Sequence, residues 1–238
     1  MANPRHMRLA EVLHSDAHLA ISCLDGAEQG TGRALISFTG VGHSLGGLDV
    51  QQPEFVGAGS QYDATFFVSD LTRSWGNLLD FTRVAEIVGQ KVGKVEIHCI
   101  GNSMGAFNAL LAPSQMSVSR VVAFAPQFSV HPDVVPWEIR WEEYRNAITD
   151  WKYPSLEGVW VAETEYFVFA SNKGRDRKHA RLFPKLQNLH LTRVDGAHNL
   201  ARSMKDAGIL QEVIRRCFAG EYTLDWFEAV QAQNTAAH

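Results

Sequence analysis

The sequence predicts an α/β fold, a doubly wound and mostly parallel sheet with helices on both faces. Three observations predict it. Apolar runs of strand length alternate with stretches of helical period. Several runs, such as ATFFVSD at positions 64–70, are continuously apolar, as strands buried on both faces are. Between positions 95 and 112 one strand passes through a tight turn directly into a helix, and parallel strands joined by helices need right-handed crossovers that cover both faces of the sheet.

Element by element, residues 9–13 and 18–24 read as a hairpin closed at Ser15-Asp16, and ALISF at 34–38 as a third strand. The strand at 64–70 comes after a Gly-rich stretch. Leu78, Leu79, Phe81, Val84, Ala85, Ile87 and Val88 fall at helical spacing, with Gly89 and Gly93 as the stop. VEIHCI at 95–100 is a strand, GNSMG the turn, and AFNALLA at 106–112 a helix. VVAFA at 121–125, EYFVFA at 165–170 and LHLTRV at 189–194 are further strands, and a long amphipathic helix over 200–218 closes the domain. The tail after Tyr222, with Leu224, Trp226, Phe227 and Val230, either docks as a short helix or mediates self-association, which leaves a homodimer open.

Residues 1–238 read as a single domain with an insertion at 131–164 that holds four of the six tryptophans. Trp137, Trp141, Tyr144, Ile148 and Trp151 are spaced by four and three, which predicts one helical aromatic stripe. Such a helix is a crossover packed on the sheet, or a cap roofing an apolar pocket with Trp137 and Trp141.

Composition narrows the function classes. With 45% hydrophobic and 20% charged residues the chain can bury a core, and 22 Lys+Arg against 26 Asp+Glu give a net charge of −4. No basic excess is available for a phosphate backbone, so nucleic acid is not an expected partner. The N-terminal segment carries Arg5, Arg8 and Glu11 and lacks the apolar stretch of a secretory signal. No run reaches the ~18 apolar residues of a membrane span. Cys23, Cys99 and Cys217 are widely spaced and fit neither a disulfide framework nor a zinc site. A cytoplasmic protein is expected, with no metal and no cofactor.

Gly101-Asn102-Ser103-Met104-Gly105 matches G-x-S-x-G between a buried strand and a helix. A serine there must occupy a sharp turn, and Gly101 and Gly105 remove side chains that would collide. The helix starting behind Ser103 points the Met104 N–H at an oxyanion formed beside it. Gly42-His43-Ser44-Leu45-Gly46 also matches, but the segment downstream of it holds Pro53, Gly57 and Gly59 and no helical period, so no helix backs Ser44.

A serine hydroxyl needs a base. Among ten histidines, His198 lies in the loop between the last strand and the last helix, at the edge where parallel-sheet sites form. The base needs a carboxylate to hold its tautomer. Asp176 is the first choice, in the polar loop SNKGRDRKH after the preceding strand and in the chain order Ser, acid, His. Asp133 and Asp195 are the rivals.

The strand order, the GNSMG elbow, the downstream Asp loop and the late GAH motif together resemble the α/β-hydrolase superfamily, over roughly residues 9–218. The resemblance implies a second oxyanion donor from the loop after the third strand, usually just beyond a His-Gly pair. Here the matching residues are Thr39-Gly40-Val41-Gly42, so the donor falls to the Val41 N–H, with Gly40 and Gly42 as neighbours at the substrate pocket. It also implies a serine esterase that cleaves a small ester or acyl substrate through an acyl-enzyme. Two other classes stay open. One is a non-enzymatic binding module on the same fold. The other is a nucleotide-binding protein using Gly40-x-Gly42 and Asp70, although the third glycine of that fingerprint is replaced by Leu45.

Overall fold

The structure, a computed structural model, describes residues 10–26, 30–42 and 51–236. Leu9, Ser44 and Leu45 lie outside the described residues, so neither the second G-x-S-x-G match nor the third fingerprint position is placed.

Among the described residues eight strands form one sheet in the order β1-β2-β4-β3-β5-β6-β7-β8. β1 (Glu11–Ser15) and β2 (Leu19–Asp25) are the expected hairpin, and β2 also pairs antiparallel with β4 (Ala64–Asp70). From there to the far edge the pairing is parallel: β4, β3 (Arg33–Phe38), β5 (Glu96–Asn102), β6 (Arg120–Phe124), β7 (Glu165–Ser171) and β8 (Leu189–Val194).

The two-residue period of the strands divides the core into two layers. Val121 and Ala123 of β6 join Ile36, Phe66, Cys99 and Val168 on one face, where α1 (Phe81–Val92) and α2 (Met104–Leu111) pack. Val122 and Phe124 join Leu35, Ile100, Phe167 and Phe169 on the other face. There they meet α5 (Leu200–Asp206), α6 (Leu210–Ala219) and α7 (Leu224–Ala236) through Met204, Ile214 and Phe227. Every residue of α2 is buried, because β5, β6 and β3 surround the helix that backs the elbow. The tail docks: Phe227 is buried and its ring lies 5.6 Å from that of Phe169.

Four expected elements differ. The helix beginning at Leu78 starts instead at Phe81, where the Asp80 carboxylate accepts from the Arg83 N–H. The preceding turn is held by buried Asp70, which accepts from Ser74 N–H, Ser74 hydroxyl and Gly76 N–H. Asp70 is thus engaged by its own chain rather than presented to a ribose. The helix over 200–218 is two helices, parted at Gly208 with φ +74°. The aromatic stripe is not one helix: only α3 (Glu142–Ala147) is helical, and Trp141 at its start has φ +55°. At this bend the partly exposed Arg140 pairs with the fully buried Glu138. The polar loop around Asp176 is α4 (Gly174–Ala180).

Candidate active site

Ser103 joins β5 to α2 with φ +55° and ψ −120°, a conformation that costs an L-residue on the order of 1–3 kcal/mol. The glycines make it attainable. A Cβ at position 101 would run into the Gly105 carbonyl, and one at 105 into the Phe38 carbonyl of the neighbouring strand. The turn is fastened by Ser103 N–H donating to Phe124 O at 2.9 Å and by Ser103 O accepting from Phe107 N–H at 3.1 Å.

The loop after β8 brings His198 to this turn. Its Nε2 lies 2.9 Å from Ser103 Oγ, and its Nδ1 lies 2.9 Å from Asp176 Oδ2. A carboxylate only accepts, so Nδ1 carries the proton and Nε2 is free to take the one on Ser103. The Ser171 hydroxyl at the end of β7 donates to the Gly196 carbonyl and ties down the His198 loop.

Asp176 sits in the first turn of α4 and is 6% exposed. Burial pushes its carboxyl up, but the hydrogen bond from His198 and the charges of His198 and Arg140 outweigh it, and the net direction is down. Asp176 therefore stays ionised as partner to the imidazole. Its other oxygen, Oδ1, accepts from Arg140 Nη2 at 2.8 Å. Arg140 is in turn clamped by Glu138 through Nε and Nη2. Fully buried Glu138 accepts from His179 Nε2 at 3.0 Å, while His179 Nδ1 accepts the Phe128 N–H. Burial lowers the His179 pKa, which keeps that ring neutral in the tautomer this arrangement needs. Burial also opposes ionisation of Glu138, yet the hydrogen bonds from His179 and Arg140 bring its carboxyl down to about 2.

The rival carboxylates are elsewhere. Asp195 pairs with Lys173 at 2.9 Å on the surface, and Asp133 is exposed with its N–H on His131.

Trp141 and Trp137 part company. The Trp141 ring lies 5.6 Å from that of His198 and 5.9 Å from Trp75, with the Arg140 guanidinium 4.8 Å over its face. Trp137 lies a layer behind, its ring 4.6 Å from that of His179 and tilted by 58°, with Lys178 over its face. On the other side of the elbow, Met104 N–H at the start of α2 and Val41 N–H make no hydrogen bond among the described residues. Gly40 lies against the elbow, where an added Cβ would sit 3.2 Å from Asn102 O, and its N–H donates to Glu54 Oε1 at 3.0 Å. Gly42 has φ +91°. Thr39, at the place of the resemblance's histidine, turns its hydroxyl to Ser69 on β4. A cleft of about 480 Å³ adjoins the elbow at Asn102, between Glu54, Phe55, Arg202, Lys205 and Gln211.

Sequence reasoning missed Gln127 and Arg140, which bond Ser103 and Asp176, and Trp75, Glu138 and His179, which hold those two from behind. No local motif marks them. Among the described residues no group of three His, Cys, Asp or Glu gathers as a metal site, and no helix is long and apolar enough to cross a membrane.

No family model matches the chain, and no curated protein matches it in sequence. Solved structures do. The capsule O-acetyltransferase of Neisseria meningitidis serogroup A is similar with a TM-score of 0.59 at 13% identity, over 84% of this chain and 92% of that one. An α/β serine hydrolase homologue from Coxiella burnetii has a TM-score of 0.54 at 11% identity, over 87% and 96%. A lidless α/β serine hydrolase from Xanthomonas campestris has 0.53 at 17%, over 87% and 94%. The sheet order, the strand-to-helix elbow and these likenesses agree: the chain has the α/β-hydrolase fold.

Proposed function

We propose that this protein is a serine hydrolase that cleaves a carboxylic ester through an acyl-enzyme. The observation that carries the reading is the continuous hydrogen-bonded line from Ser103 Oγ through His198 to Asp176, 2.9 Å at each step, mounted on a left-handed serine between two glycines. In this reading Ser103 Oγ bonds to the ester carbonyl carbon while its proton passes to His198 Nε2. Asp176 stabilises the imidazolium. The carbonyl oxygen takes the negative charge beside the Met104 and Val41 N–H groups, worth about 3–4 kcal/mol per donor. His198 then returns the proton to the departing alcohol oxygen, leaving the acyl group on Ser103, and water repeats the sequence to release the acid.

In this reading the cleft beside Asn102 takes one arm of the substrate, and Trp141 packs beside the partly exposed imidazole of His198. Gly40, Gly42 and Trp137 belong to the surroundings of the pocket in this reading, Trp137 from the layer behind.

A second reading replaces water with the hydroxyl of an acceptor molecule, so that the acyl group is transferred. The likeness to an O-acetyltransferase supports it, and the three side chains serve either acceptor equally. The test is a pre-steady-state burst with p-nitrophenyl esters of increasing acyl length, with and without a polyol. A burst in the wild type that is absent from Ser103→Ala supports the acyl-enzyme, and polyol-accelerated turnover selects transfer. Full activity in Ser103→Ala overturns both.

A further inference from the structure

The loop leaving β6 holds a buried amide that the reaction above does not use. Ala125, at φ +47°, bends the chain so that Gln127, with no exposed surface, reaches the elbow. Gln127 Nε2 donates to Ser103 Oγ at 3.0 Å, and Gln127 Oε1 accepts from Trp75 Nε1 at 3.1 Å. The second bond fixes the first. An indole N–H only donates, so the amide oxygen must face Trp75 and the amide nitrogen must face the serine. Trp75 is itself fully buried, in the turn that Asp70 fastens at Ser74 and Gly76. The polarity of the amide is therefore set by the fold.

The consequence falls on the serine proton. Ser103 Oγ receives an N–H from Gln127 and has one proton to give. His198 Nδ1 is committed to Asp176, so Nε2 stands as an acceptor 2.9 Å away. Topology also separates this donor from Val41, which comes from the β3 side of β5, whereas Gln127 comes from the β6 side. The amide thus acts on the nucleophile's own oxygen.

We infer that Gln127 is a further catalytic residue: a donor of fixed polarity that directs the Ser103 proton to His198 and strengthens its hold on Oγ as the proton leaves. The inference rests on Ser103 being the nucleophile. A hydrogen bond to an oxygen gaining charge is stronger than one to a neutral hydroxyl, so the donor favours the transferring state over the resting one.

The test is the rate at which a fluorophosphonate modifies Ser103 in the wild type and in Gln127→Glu, Gln127→Met and Trp75→Phe, with circular dichroism and melting temperature as fold checks. Gln127→Glu keeps the size and the Trp75 bond but turns an acceptor toward Ser103 and draws the proton away from His198; its rate should fall about 100-fold. Gln127→Met, which only removes the donor, should fall about 10-fold, and Trp75→Phe by a smaller factor because the amide is then free to invert. Folded Gln127→Glu reacting within about twofold of wild type would overturn the role of Gln127. If that variant does not fold, Gln127→Met and Trp75→Phe decide in the same way, and unchanged rates overturn the role. A wild type that is never modified overturns the reading of Ser103 itself, and the role of Gln127 with it.

Discussion

Arg140 donates to the Asp176 oxygen that His198 does not use, so the carboxylate is gripped from both sides, at 2.8 Å by the guanidinium and 2.9 Å by the imidazole. The carboxylate cannot swing away from His198 without breaking a second, charge-assisted bond. Glu138 and His179 extend the grip into the protein interior.

Removing Arg140 therefore strands two buried carboxylates, one fully covered at Glu138 and one nearly so at Asp176. Arg140→Met should destabilise the fold by about 3 kcal/mol, the cost of leaving buried carboxylates without their cation. Urea denaturation measures it. A loss under about 1 kcal/mol would show that the guanidinium is dispensable to the fold.

Glu54 gives a stability that depends on pH. Burial pushes its carboxyl up to about 7, only partly offset by the Gly40 N–H. A carboxyl raised in the folded state holds its proton there after the unfolded chain has lost it. Its contribution is fully present below about 4.5, declines as pH rises, and is gone above about 7. Glu54→Gln keeps the acceptor for Gly40 and removes the titration. Comparing denaturation midpoints at pH 5 and pH 8, the variant should gain on the order of 2 kcal/mol relative to wild type at the higher pH. Parallel pH profiles would show that Glu54 titrates normally.

Glycine substitutions should go in opposite directions. Gly101→Ala forces a Cβ onto the Gly105 carbonyl and should cost about 3 kcal/mol or more. Gly89→Ala, inside α1 with open space around it, should stabilise by about 0.5–1 kcal/mol. Thermal unfolding of the pair checks both signs, and equal effects would mean that the elbow is not tightly packed.

The central strands could be read because they are buried on both faces and announce themselves as apolar runs. The elbow could be read because its strand, glycines, serine and helix are contiguous. The helix that carries Asp176 could not. Its buried positions are Asp176, His179 and Ala180, so the inward stripe of α4 is mostly polar and leaves no hydrophobic period. Trp137 to Trp151 misled for the converse reason: the spacing is helical, but the ion pair of Arg140 with buried Glu138 and a left-handed Trp141 interrupt the helix. In the last third, Leu200, Met204, Leu210 and Ile214 keep an apolar spacing compatible with one helix, although Gly208 interrupts the backbone. Gln127 and Arg140 were invisible because their partners lie 24 and 36 residues away and only the fold brings them together.

The most direct test of the central claim is the mass of the intact protein after treatment with a fluorophosphonate, followed by peptide mapping of the adduct. One adduct on Ser103, abolished in Ser103→Ala and strongly slowed in His198→Ala, is the expected result. An adduct on another residue, or a Ser103→Ala protein modified as fast as the wild type, would contradict it.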